Sequence, residues 1–272
     1  MKLKTLVAAL FGAGSLFLAG QASAQTTPVA VGLELMLLVD VSGSVNATEY
    51  ALQKTGYVNA FNSLAVQNAI MNSQLGAIAV TYIEWSGNAQ QSTKVGWTLI
   101  NSVATAQAFA TAITNNALFS TAFGGATAIQ AAMFTQFNKF GTEVVGGVEN
   151  GFTSLRQVID VSGDGADNDT TACNVGTNAA CGRDAALAAG VDTINGIPIL
   201  GQTGLLAYYQ NNVEGGTNSF TDSASSFAEF GASIERKLIR EITNQVPEPS
   251  SLALAGLALL GIGAMRRRAA KR

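Results

Sequence analysis

Residues 33–39 read Leu-Glu-Leu-Met-Leu-Leu-Val, apolar at every position but one, and the run stops at Asp40. A short uninterrupted apolar stretch that ends at an acid reads as a parallel strand buried on both faces. Such a strand needs helices above and below it, so this one run already selects an α/β architecture.

The rest of the chain supplies the partners. Residues 46–67 predict a helix, residues 76–85 and 94–100 two strands joined by polar turn residues around Gly87 and Asn88, and Ser102 a cap for a helix reaching about residue 115. Further on, residues 127–140 predict a helix, 155–161 a strand, 183–189 a short helix and 193–200 another strand. Phe227, Phe230, Ile234, Leu238 and Ile242 recur at helical spacing, which predicts a last amphipathic helix with Glu229, Arg236, Lys237, Arg240 and Glu241 facing water. The expected fold is therefore a doubly wound, mostly parallel sheet flanked by helices, with one core and ligands bound beyond the carboxyl ends of the strands. No internal repeat interrupts it.

The two ends of the 272-residue chain have a different composition. Residues 1–24 run from Lys2 and Lys4 through an apolar stretch to Ala22-Ser23-Ala24, the pattern of a secretory signal peptide. The apolar stretch is shorter than the ~20 residues that span a bilayer. Residues 246–272 read Val-Pro-Glu-Pro-Ser-Ser, then an apolar segment at about 252–265, then Arg266-Arg267-Arg268. Pro-Glu-Pro, a short hydrophobic helix and a basic cluster in that order resemble the PEP-CTERM sorting signal of Gram-negative bacteria that make exopolysaccharide. That resemblance implies recognition by an exosortase, a transient stay of the transmembrane helix in the inner membrane, and a final place at the cell surface or in the extracellular matrix. The folded domain is expected to occupy residues 31–245.

Charge narrows the function. Seven of the 15 basic residues but only one of the 18 acids, Glu248, lie in the terminal segments, which leaves eight basic residues against 17 acids, a net of −9. A domain that acidic is not expected to hold nucleic acid, whose phosphates are held by Lys and Arg; a cation is the more natural partner. The chain has no histidine. That removes His-based triads, His general bases and the commonest zinc ligands together. With no nucleophile or cofactor motif either, no enzyme is expected.

Three motifs carry the remaining chemistry. Asp40-Val41-Ser42-Gly43-Ser44 follows the first strand directly, Gly124-Gly125-Ala126-Thr127 opens a predicted helix, and Val158-Ile159-Asp160-Val161-Ser162-Gly163-Asp164-Gly165 crosses the end of another strand. Taken singly, each has an ordinary reading: Ser and Asp cap helices, Thr127 can do the same, and Asp-Gly is a turn. Together and in this order they resemble the metal-ion-dependent adhesion site (MIDAS) of von Willebrand factor type A (vWA) domains. The Glu84-Trp85-Ser86 and Asn195-Gly196-Ile197-Pro198-Ile199 segments look like a bacterial vWA subfamily whose function is unassigned. The resemblance implies Mg²⁺, with Mn²⁺ or Ca²⁺ as alternatives. It assigns the Ser42, Ser44 and Thr127 hydroxyls to the ion directly, and the Asp40 and Asp164 carboxylates largely through water. Mg²⁺ is a hard ion that takes six oxygens, and neutral hydroxyl ligands leave it electron-poor, so one position stays open for an acidic group of a protein or polysaccharide partner. The chain departs from the family's usual Thr-Asp-Gly, having Ser162-Gly163-Asp164-Gly165, which makes Asp160 a rival to Asp164; position past the strand favours Asp164. The alternative role is a structural matrix component whose metal only stiffens the loops.

Two further expectations concern the loop at residues 164–181. Cys173 and Cys181, the chain's two cysteines, should form a disulfide, because the chain is exported and both lie in one polar loop. Asp164, Asp167 and Asp169 lack the spacing and the downstream Glu of an EF-hand and are expected to sit in a solvated loop.

Overall fold

A computed structural model describes residues 27–118, 124–169 and 178–243. The signal segment, the 246–272 segment with its predicted membrane helix, and Cys173 with its expected bond to Cys181 lie outside the described residues. Among the described residues, no helix is long and apolar enough to cross a membrane.

The core is a six-stranded sheet. The apolar run forms β2 (Leu33–Asp40), every residue of it buried, preceded by β1 (Val29–Val31). It lies between β3 (Ile78–Trp85) and β6 (Gln157–Gly163), parallel to both, and β7 (Thr193–Pro198) extends the parallel set beside β6. The edges are antiparallel: β4 (Gln91–Ile100) returns along β3, and the two-residue β8 (Gly215–Gly216) along β7. The order is β4-β3-β2-β6-β7-β8. A separate small parallel pair joins β1 to β5 (Phe152–Ser154). This is the mostly parallel α/β fold that the first strand demands.

Helices cover both faces. On one side α1 (Ala47–Asn62), α2 (Leu64–Met71), α3 (Val103–Asn116) and α7 (Phe227–Thr243) bury Tyr57, Phe61, Ile70, Phe109, Phe230 and Leu238 against Leu35, Leu37, Val80 and Tyr82. On the other, α4 (Ile129–Gln136), α5 (Ala180–Ala189) and α6 (Leu205–Asn212) pack Ile129, Met133, Ala186 and Tyr209 against Met36, Leu38, Ile159 and Val161. Odd and even residues of β2 and β6 alternate between these two cores, as the pleat requires.

Several elements differ from expectation for local reasons. The helix foreseen over 46–67 is two helices, broken at Ser63, whose backbone is extended (φ −74°, ψ 141°). Its hydroxyl accepts from Val66 N at 3.2 Å and its own N–H donates to Ala60 O, so one residue ends α1 and caps α2. The helix foreseen from 127 starts at Ile129 and tightens into a 3₁₀ segment, Phe137–Glu143.

The last helix holds the larger correction. Lys237 and Glu241, expected outside, are 0% and 1% exposed. Lys237 Nζ lies 2.6 Å from Asp160 Oδ1 and 2.5 Å from Glu241 Oε1, and Asn195 Nδ2 donates to the same Glu241 oxygen at 2.8 Å. The strand acid Asp160 is thus paired with a helix cation across the core. Burial is the main influence that pushes its carboxyl up to about 7; the neighbouring Glu241 adds to this and Lys237 opposes it.

Helix α7 begins beside the carboxyl ends of the strands, where Phe227 shares a cleft of about 460 Å³ with Glu49, Asp164 and Leu200. It ends at the opposite edge, where Ile242 and Thr243 share a cleft of about 180 Å³ with Gly32, Gln74 and Arg156.

Candidate metal centre

The register sets the site. Asp40 stands opposite Trp85 of β3, and Val39 opposite Ser162 of β6, so β2, β3 and β6 end together on one edge. The loops leaving β2 and β6 carry the first and third motifs, and the connection from α3 to α4, which carries the second, lies against them.

The first loop turns at once: Asp40 Oδ1 accepts from Ser42 N at 2.7 Å, and Val45 N bonds to Ser42 O. Asn46 then caps α1 in a reciprocal box with Glu49. The second loop is pressed against it, Gly43 N donating to Gly125 O at 2.9 Å. A side chain at 43 would put its Cβ 3.1–3.2 Å from the Gly124 and Gly125 carbonyls, which explains a glycine between the two serines. Ser86 braces the second loop, its hydroxyl accepting from Gly125 N at 3.1 Å and its carbonyl from Ala128 N. The third loop is tied to the second: Thr127 N donates to Asn168 Oδ1, and Asn168 N to Thr127 O, both at 2.8 Å.

These ties bring five side chains together. Thr127 Oγ1 lies 3.3 Å from Ser42 Oγ, Ser42 Oγ 3.2 Å from Ser44 Oγ, and Ser44 donates to Asp164 Oδ1 at 2.6 Å across 120 residues of sequence. Asp40 is fully buried, and its Oδ2 has no hydrogen-bond partner. Burial pushes its carboxyl up to about 7, with the Asp164 charge adding to the effect and the Ser42 bonds opposing it. Burial likewise raises Asp164. No Lys or Arg forms an ion pair with either acid among the described residues.

Such a set suits a hard cation. It offers two carboxylates and three hydroxyls, all oxygen, and an orphaned buried carboxylate oxygen is costly unless something positive faces it. Among the described residues no three His, Cys, Asp or Glu side chains gather to hold a metal. A site here therefore depends on hydroxyls, the donors that the D-x-S-x-S pattern supplies.

Asp160 is elsewhere. It sits within β6 on the face toward α7, and Glu84, a further strand acid, accepts from Tyr50 at 2.6 Å and pairs with Lys94 at 3.3 Å. Both are buried. Asp167 departs from the solvated loop expected of it: 6% exposed, it accepts from Gln130 N at 2.7 Å, and Asp169 Oδ2 accepts from Asn88 N.

Two residues near the cluster escape sequence reasoning. Gln53 Nε2 reaches Asp40 O at 3.3 Å, and the buried Tyr209 hydroxyl ends beside Gly163. A Cβ at 163 would lie 2.7 Å from Asp40 Oδ2 and 2.8 Å from the Tyr209 oxygen, so Gly163 keeps that space open. Nothing in the helical spacing of residues 205–212 marks Tyr209 as a neighbour of the first strand.

Sheet order, helical layers and three loops converging on one edge define a vWA-like domain. Solved structures agree on the fold. Proximal thread matrix protein 1 from the mussel byssus, with a zinc-occupied MIDAS motif, matches with a TM-score of 0.52 at 15% identity, over 78% of this chain and 48% of that one. The pilus adhesin SpaC from Lactobacillus rhamnosus GG matches at 0.51 and 14% identity, over 79% and 32%. A von Willebrand factor type A protein from Catenulispora acidiphila matches at 0.50 and 10%, over 78% and 43%. The chain thus spans less than half the length of each. A comparison with the curated proteins gives no match. The chain belongs to the family described as protein of unknown function (DUF1194), whose model matches residues 30–246. The PEP-CTERM protein-sorting motif matches residues 245–268, which marks the protein for export and exosortase-type processing.

Proposed function

We propose that this exported protein captures an acidic group of a protein or polysaccharide at the cell surface or in the extracellular matrix of a Gram-negative bacterium, through a divalent cation held by Asp40, Ser42, Ser44, Thr127 and Asp164. In this reading the signal peptide is residues 1–24, the folded domain 31–245 and the sorting signal 246–272. The observation that carries it is the convergence of these five oxygen-bearing side chains from three loops, with the Asp40 oxygen left unpaired. The cation, Mg²⁺ in the first place, supplies a positive acceptor for the partner's carboxylate. The chain's part is to hold it: the short turn at Ser42 fixes Asp40, and the Asn168–Thr127 bonds fix the hydroxyl of the second loop. The role is binding, without turnover.

A pull-down from matrix extract by the full-length protein, with Mg²⁺ and with EDTA, tests this reading. Partners retained only with Mg²⁺ support it. A Mg²⁺-stabilised protein whose partners ignore EDTA supports the structural role instead.

Proton competition gives a second test. A carboxyl raised to about 7 stays protonated in the metal-free fold below that pH, and the ion must displace the proton. Mg²⁺ affinity should therefore rise about tenfold per pH unit up to about 7 and level off above it, measured by calorimetric titration. An affinity flat from pH 5.5 to 8 would remove Asp40 from the ligand set.

The Cys173–Cys181 disulfide belongs to the same reading, as a brace on the loop that follows Asp164. Closing so short a loop contributes about 2–3 kcal/mol in the chain-entropy model. Intact mass of the exported protein, alkylated before and after reduction, should show no free thiol until reduction.

A further inference from the structure

Away from the loop cluster, a cavity of about 410 Å³ opens between the strands β3 and β4 and the segment at residues 137–150. We propose that it is a second ligand site, which takes one or two sugar units of a saccharide chain.

Its wall is aromatic and fixed. Trp97 Nε1 donates to Lys139 O at 2.7 Å, and the indole packs at 5.4 Å, tilted, on Phe140. With the nitrogen tied and Phe140 against it, the ring is set in place as a flat apolar wall. The rim beside it is equally fixed. Asn150 Nδ2 donates both to Lys139 O at 2.9 Å and to the buried Glu34 at 2.6 Å, and Val148 N donates to Asn138 O. A cavity already shaped before its ligand arrives loses little order on binding.

The rim decides the ligand class. Beside the indole stand an ammonium (Lys139), a carboxylate (Glu149), a carboxamide (Asn138) and a hydroxyl (Thr93). They donate and accept in roughly equal measure, and the two charges cancel. Neither Lys139 nor Glu149 forms an ion pair among the described residues. A ligand with an apolar face and an edge of groups that both donate and accept matches this lining, and a pyranose is that ligand. A strongly charged chain does not match it, nor does a purely apolar one. A few polar groups set into an apolar concavity of this volume are the usual form of a small-ligand site.

Gly96 allows a test that spares the fold. A Cβ there meets nothing within 4 Å, yet the residue lines the cavity. Gly96→Leu therefore fills the mouth without pressing on a neighbour. The probe is a panel of neutral and acidic oligosaccharides of two to six units, titrated into the full-length protein once with Mg²⁺ and once with EDTA. The readout is tryptophan fluorescence, to which Trp97 contributes from the cavity while Trp85 is fully buried. We expect saturable binding by at least one oligosaccharide, unaffected by EDTA and weakened at least ~10-fold by both Gly96→Leu and Lys139→Met. No binding by any member of the panel overturns the proposal, as does binding that Gly96→Leu leaves intact. Binding abolished by EDTA also overturns it, and places the sugar at the loop cluster instead.

Discussion

Asp164→Ala is expected to leave the domain folded and to remove the response to Mg²⁺ that the proposed site confers. An ion that binds only the folded state stabilises it by RT ln(1 + [L]/Kd), about 2.7 kcal/mol at a hundredfold excess over Kd. For a domain of this size that is roughly 5–10 °C in Tm, present in the wild type and absent in the variant. The fold survives because Asp164 lies just past the end of β6 and bonds only Ser44 among side chains. Asp160→Ala is expected to behave oppositely, keeping the Mg²⁺ shift and starting from a lower Tm, since its carboxyl faces Lys237 and not the loops. Scanning calorimetry of both variants with Mg²⁺ and with EDTA separates the two acids. A Mg²⁺ response kept by Asp164→Ala and lost by a folded Asp160→Ala would reverse their roles.

Lys237→Met costs about 3–5 kcal/mol at neutral pH, the range for breaking a buried ion pair from one side. Lys237 is the cation facing both Asp160 and Glu241, and all three are buried. Methionine fills a similar volume, so the loss is electrostatic more than steric. Its pH dependence has a definite sign. The Asp160 carboxyl already sits near 7, and removing the cation raises it further. Protonation then relieves the stranded charge, so the deficit shrinks as pH falls from 7.5 toward 5.5. Urea unfolding at the two pH values measures it. A deficit below 1 kcal/mol, or one equal at both, would mean that the ion pair is not what secures α7 to the sheet.

The same helix shows where the sequence was legible and where it misled. Phe230, Ile234 and Leu238 face the core as their spacing requires. Lys237 and Glu241 stand seven and eleven residues after Phe230, so spacing alone places them on the buried stripe. Their charge argued for water, and the strand acid that pairs with Lys237, Asp160, is 77 residues away in sequence. Pairing across the core is a tertiary fact that no local pattern carries. The first strand was readable for the opposite reason: a run buried on both faces leaves one solution, and Asp40 marks its end. The division of the 46–67 helix was missed because one serine hydroxyl decides it. In the loops, the motifs showed which oxygens the chain could offer. Several bonds that gather them come from neighbours outside the three motifs, such as Asn168 and Ser86, and these emerge only when the loops are seen side by side.

The course of α7 fixes how the molecule stands. The helix starts near Asp164 and runs 17 residues, about 25 Å, to Thr243 on the far edge of the sheet. The sorting motif begins two residues later. Whatever grips the chain beyond that point holds it by the foot, and the three loops become the tip, lifted one domain's height above the attachment. Because α7 packs into the sheet core along its length, the fold itself sets the separation between these two ends.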